Sequence, residues 1–151
     1  MLTVEDCHLH GQPFSVAQWK KFDSATLGQI VGIQEPGHYT ERLDNLRWTF
    51  QYLEIEKLKH ANQDYEEPEG GWSAAWLRFL KSDEQAAKTT PEYAGRDTWL
   101  KEHWLKCTDI YPLYVVLEKD GYRLLDGHHR LAGAFYYKLD KVAIILGTTT
   151  E

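Results

Sequence analysis

The sequence predicts an α+β fold, and three stretches carry that prediction. Trp72, Ala75, Trp76, Phe79 and Leu80 recur at the spacing of one helix face, the repeat that buries a stripe of side chains on an amphipathic helix. "PLYVVLE" (112–118) and "YRLLD" (122–126) are strand-like runs on either side of "KDG", where Asp120 and Gly121 suit a tight hairpin turn through positive φ. Gly127 then breaks the strand. Leu131, Ala134, Phe135 and Leu139 mark a helix face from His129 to about Lys138, and "KVAIIL" (141–146) reads as a buried strand.

Upstream, the elements are shorter. "SVAQ" (15–18) matches a capping box, with Ser15 as N-cap and Gln18 reaching back, and Val16, Trp19 and Phe22 follow at helical spacing. "SATLGQIVG" (24–32) predicts a second helix ended by Gly32, and "EPGH" (35–38) a turn. Residues 43–58 satisfy two patterns: Leu43, Leu46, Phe50 and Leu53 keep a helical step, while Leu53 and Ile55 also alternate on one strand face. The reading adopted is a helix to about residue 48 and a strand over 50–56. "HANQDYEEPEGG" (60–71) is a polar loop, "KTTPEYAGRD" (88–97) a second one, and Asp97 is placed to cap a helix burying Leu100, His103, Trp104 and Cys107.

Composition narrows the function classes. At 151 residues the chain is about one domain long and can bury roughly two thirds of its unfolded surface. Its 42% hydrophobic and 26% charged content excludes wholesale disorder. The net charge of −6, with Lys20–Lys21 as the sole adjacent basic pair, argues against strong nonspecific DNA binding but leaves room for a small anion held by local donors. Two cysteines far apart, Cys7 and Cys107, point to a reducing compartment rather than a disulfide framework. No apolar run approaches the roughly 20 residues of a membrane span, and the N-terminus lacks the regions of a signal peptide. The expectation is a cytoplasmic protein with no membrane partner.

The chemistry concentrates in "DGHHR" (126–130), at the strand-to-helix junction. A helix N-terminus offers unpaired N–H groups and a partial positive charge. Gly127 lets a ligand approach the backbone, Arg130 can fork onto a phosphate or carboxylate, and His128 and His129 can donate, accept or become cationic near neutral pH. Together these parts suit a nucleotide-type anion. A plainer reading stands beside it: Asp126 as N-cap, Arg130 as its ion-pair partner, one histidine packed in the core. The anion reading expects Arg130→Ala to abolish nucleotide binding while the fold survives.

"YPLYVVLEKDGYRLLDGHHRLAGAFYYKLDKVAIILG" resembles the ParB/sulfiredoxin superfamily, in which a strand hairpin leads to a G-x-H-R or G-E-R-R type box opening a helix, then to a closing strand. "YLEIEKLKHANQD" (52–64) more loosely resembles that family's first strand and following loop. The resemblance implies a small mixed sheet with surrounding helices over 46–151, behind a helical or irregular N-terminal extension, 1–45. It implies that Gly127, His128, His129 and Arg130 bind the phosphates of a nucleoside di- or triphosphate such as ATP or CTP, with Mg²⁺ as companion. Stand-alone relatives include small-molecule kinases, in which an acid of the loop after the first strand activates the acceptor. The matching loop here holds His60, Asp64, Glu66 and Glu67, so His60, Asp64 and His129 are the candidate catalytic residues of a phosphotransferase or nucleotide hydrolase. Sulfinic-acid repair is not expected, because His128 stands where sulfiredoxins place a cysteine. A complete partition protein is not expected either, since no helix-turn-helix domain follows.

Two rival functions remain: a nuclease or nucleic-acid binder of the same superfamily, and a degenerate domain that only binds a protein partner, with its six tryptophans, nine tyrosines and five phenylalanines, in surplus of a core this size, as the interface. "CHLH" (7–10) offers zinc-type ligands but lacks a separated second pair. No G-x-S-x-G elbow supports a serine hydrolase, and the glycines of 28–37 lack the strand-then-helix setting of a dinucleotide loop.

Overall fold

The computed structural model describes residues 14–34, 46–61, 67–89 and 108–149. They form helices α1 (Val16–Lys21) and α2 (Ser24–Gln34), strand β1 (Leu46–Glu54), a 3₁₀ turn (Ile55–Leu58), helix α3 (Trp72–Thr89), strands β2 (Leu113–Glu118) and β3 (Gly121–Asp126), helix α4 (His128–Tyr136) and strand β4 (Lys141–Thr149). The strands make one mixed sheet in the order β1-β4-β2-β3. β1 pairs antiparallel with β4 along its whole length, β2 runs parallel to β4, and β3 returns antiparallel to β2. The fold is α+β.

Both faces of the sheet are covered. Strand side chains alternate, so β4 sends Val142, Ile144 and Leu146 to one face and Ile145 to the other. On the first face they meet Leu53, Leu113, Val115 and Leu124 of the sheet, Trp72, Ala75 and Trp76 of α3, and Leu131, Ala132 and Ala134 of α4. On the second, Trp48, Tyr114, Val116, Leu125 and Ile145 pack against Trp19 of α1 and Leu27 and Val31 of α2. The segment read as an extension thus supplies the helices of one layer.

Trp48 shows how these layers lock together. Its indole lies between two glycines: a Cβ on Gly28 of α2 would sit 2.9 Å from Trp48 Cδ1, and one on Gly147 of β4 would sit 2.8 Å from Cζ3. Gly147 is also the residue paired with Trp48 across the β1–β4 ladder. Both glycines leave room for the ring, so α2 can approach the sheet closely. Ser24 Oγ then accepts from the Trp48 backbone N–H at 2.8 Å, satisfying one outward-facing donor of this edge strand.

The helix starts follow local chemistry. At α1, Ser15 Oγ accepts from Gln18 N and Gln18 Oε1 accepts from Ser15 N, the reciprocal box read from the sequence. At α2, Asp23 Oδ1 accepts from Thr26 N at 2.8 Å, which holds that exposed carboxyl below its usual range. Before α3, Gly70 and Gly71 take φ of 77° and 88°, and Gly71 N donates to Pro68 O at 2.7 Å, so the pair turns the chain into the helix.

Several boundaries differ from the sequence expectations. No helix reaches residue 48, because β1 already begins at Leu46 and ends at Glu54. The helical step of Leu46, Phe50 and Leu53 is coincidental: pairing with β4 decides the conformation, and Trp48 and Leu53 are buried on opposite faces. Ile55 is buried with Leu53 as expected, but from the first position of the 3₁₀ turn. α2 runs through Gly32 to Gln34, and α3 continues to Thr89. In the hairpin Gly121 takes positive φ and Asp120 does not, since among the described residues Lys138 is the one non-glycine with positive φ. The helix predicted after Asp97 lies outside the described residues, as do both cysteines.

Candidate functional site

The "DGHHR" turn sits where β3 hands over to α4. The β2–β3 register slips there: Tyr114 pairs with Asp126 but Val115 with Leu124, leaving Leu125 without a partner of its own. Such a bulge re-aims the residues that follow it. Gly127 is the N-cap of α4, at φ 107° and ψ 24°, and no side chain caps the helix. Asp126 therefore does not fill the capping role weighed for it. A Cβ at Gly127 would meet Leu113 Cδ2 at 2.5 Å, so another residue here would have to displace that buried methyl as well as take up a strained φ.

Arg130 is turned inward. It is 5% exposed, and its Nη1 donates to the carbonyls of Tyr111 and Pro112, each at 3.1 Å. Its Nη2 reaches Asp126 Oδ2 at 3.4 Å. The ion pair of the plainer reading is present, then, although one helical turn apart rather than across a cap. These bonds tie the start of α4 to the two residues leading into β2.

The histidines are held by aromatic rings of α3. His129 lies flat on Phe79, with ring centroids 3.9 Å apart and planes 3° from parallel. His128 stands beside Trp72, with centroids 6.4 Å apart. Burial holds the His128 imidazole below its ordinary value near 6.5, with Asp126 opposing that shift and His129 adding to it. His128 is accordingly neutral at pH 7, able to donate from one nitrogen and accept at the other.

Trp72 also links the turn to the loop carrying His60. Its Nε1 donates to Lys59 O at 2.8 Å, and Leu124 N donates to Ala61 O at 2.7 Å. Lys59 Nζ lies 3.6 Å from Glu67 Oε1, closing the base of the same loop. The backbone flanking His60 is thus pinned near the strand that ends in Asp126, while the His60 side chain is exposed and makes no hydrogen bond or ion pair with the turn. Asp64 and Glu66 lie outside the described residues.

The structure brings together Asp126, Gly127, His128, His129 and Arg130, with Trp72 and Phe79 as ring partners. Sequence reading assigned those two rings to the core stripe of α3. Their pairing with the histidines depends on how α3 crosses α4, for which no local pattern exists. Among the described residues no group of three or more His, Cys, Asp or Glu side chains is gathered to hold a metal ion. No described helix is long and apolar enough to cross a membrane. Comparison with protein-family models, curated proteins and solved structures found nothing similar to the chain.

Proposed function

We propose that the domain binds a nucleoside di- or triphosphate at the start of α4, as the resemblance of its "DGHHR" box and hairpin to the ParB/sulfiredoxin superfamily implies. The supporting observation is a nine-residue helix that begins on a left-handed glycine, has no side-chain cap, and carries two half-buried imidazoles in its first turn. Uncapped N–H groups and the positive end of a helix dipole favour phosphate oxygens. His128 and His129 add side-chain donors at the same place. Arg130 acts from below, fixing the turn through Tyr111 and Pro112 and adding a positive charge. Mg²⁺ would arrive with the phosphates and take Asp126 as its protein carboxylate, in the manner of a cation that keeps several waters.

Phosphoryl transfer to a small acceptor is the activity this arrangement serves. His60 or Asp64 would take the acceptor hydroxyl's proton, His129 would donate to the phosphoryl oxygens, and the nucleoside diphosphate would leave. The test is titration of ATP and CTP, with and without Mg²⁺, by calorimetry and thermal shift. A ligand at 100 times its dissociation constant adds about 2.7 kcal/mol of stability. Binding that is lost in His128→Ala and His129→Ala proteins that still fold supports the proposal. No response to either nucleotide leaves the turn as a structural junction, the reading that Arg130's inward bonds favour.

A further inference from the structure

At the other end of α4 the chain forms a cavity of about 580 Å³, lined by Glu54, Ile55, Glu56, Phe135, Lys138, Leu139, Asp140 and Lys141. That volume is in the range of small-molecule sites, roughly 300–1,000 Å³. Its walls divide by chemistry. Ile55, Phe135 and Leu139 are buried or half-buried and give an apolar floor, and the five charged side chains form an exposed rim. None of those five makes a side-chain hydrogen bond or ion pair among the described residues, although Glu54 and Lys141 stand opposite each other in the β1–β4 ladder. Opposite charges are gathered here without neutralising one another.

The backbone gives a second, independent observation. α4 ends in a Schellman motif: Leu139 N donates to Ala134 O at 3.0 Å and Lys138 N to Phe135 O at 3.2 Å. The residue after the C-cap must then be left-handed, and glycine is the usual occupant. This chain places Lys138 there, at φ 57°. A side chain carried in that conformation is disfavoured by its own Cβ, and here that residue lines the cavity.

We propose that this cavity binds a small zwitterion with an apolar body. Its cationic group sits among Glu54, Glu56 and Asp140, where three carboxylates and the negative end of the α4 dipole favour it. Its anionic group is met by Lys138 and Lys141, and its body covers Phe135 and Leu139. The site lies at the opposite end of α4 from the "DGHHR" turn and does not depend on the nucleotide reading.

The test is titration of ¹⁵N-labelled protein with the dipeptide leucyl-phenylalanine to millimolar concentration, alongside its N-acetylated and C-amidated forms. Backbone amide shifts should concentrate at residues 54–56 and 135–141, with both blocked forms binding about tenfold more weakly, as loss of one charge-assisted contact requires. Lys138→Gly should raise the melting temperature by about 2–4 °C while weakening the dipeptide about tenfold. Glu56→Gln should weaken the free dipeptide but not the N-acetylated form. Absence of shifts at these residues overturns the proposal. So does equal binding of the blocked forms, unchanged affinity in Lys138→Gly, or a fall in that variant's melting temperature.

Discussion

Replacing Arg130 with alanine removes three contacts at once. Two are bonds of 3.1 Å to the carbonyls of Tyr111 and Pro112, and the third is the 3.4 Å pairing with Asp126. Tyr111 is 1% exposed, and Pro112 is buried beside it. The two carbonyls are left inside the protein without that donor, each at a cost of about 1–3 kcal/mol. A void also remains where the guanidinium lay. Asp126 is partly exposed and loses little, because water takes the place of the guanidinium. Because neighbouring losses are not additive, the expected destabilisation is about 2–4 kcal/mol, carried by the two carbonyls rather than by the exposed carboxylate. Urea denaturation followed by tryptophan fluorescence measures it. Arg130→Lys should recover only part of the loss, since one ammonium cannot reproduce the planar fork. An Arg130→Ala protein within about 1 kcal/mol of the parent would refute the inward anchoring, and restore the sequence expectation of a free fork lost without harm to the fold.

Gly147→Ala should destabilise by about 1–3 kcal/mol, because its Cβ would lie 2.8 Å from the Trp48 ring. Gly28→Ala should also destabilise in the same denaturation assay, although alanine is the better helix former; a more stable variant would show that the Trp48 slot has slack. Ser15→Ala should cost about 1 kcal/mol through loss of the α1 box, read in the same way. His128 is kept neutral by burial, so the folded state binds its proton less readily than the unfolded chain does. Its contribution is therefore fully present above pH 6.5 and is lost as pH falls through its lowered folded value. His128→Gln should flatten the fall in stability below pH 6.5, and an unchanged pH profile would remove His128 as its source.

What was legible in the sequence was what depends on neighbours in the chain. The capping box at Ser15–Gln18, the stripe beginning at Trp72, the hairpin and the uninterrupted run of β4 all follow from local periodicity or turn chemistry, and the structure contains each of them. β1 was half legible, because its pattern fits a helix or a strand until β4 pairs with it. The slot around Trp48 was not legible, since it needs Gly28 and Gly147 to meet a ring remote from both in the chain. The candidate site divides in the same way. Its residues were visible as a motif, but the direction of Arg130 was set by carbonyls 18 and 19 residues upstream. The Asp23 cap of α2 does carry a local signal, an acid immediately before the apolar run that forms the helix.

The path of α4 explains why both proposed sites open at one end of the sheet. Tyr114 pairs with Asp126 at the end of β3 and Leu113 with Ile144 near the start of β4. β3 therefore ends where β4 begins, and α4 must cross between them rather than run back along the strands. At 1.5 Å per residue its nine residues span about 13–14 Å. That is enough to pass over β2, given a strand spacing of about 4.8 Å. Its own Leu131, Ala132 and Ala134 are fully buried against the sheet, so the crossing helix is fixed there while its ends project at the rim. A helix so placed sorts charge by its own dipole. The end at Gly127–His129 favours an anion, and the end at Lys138–Lys141, with its three carboxylates, favours a cation. The nucleotide proposal and the cationic group of the zwitterion therefore each ask for the charge that their end of the helix prefers, while the zwitterion's anionic group is left to the side chains of Lys138 and Lys141.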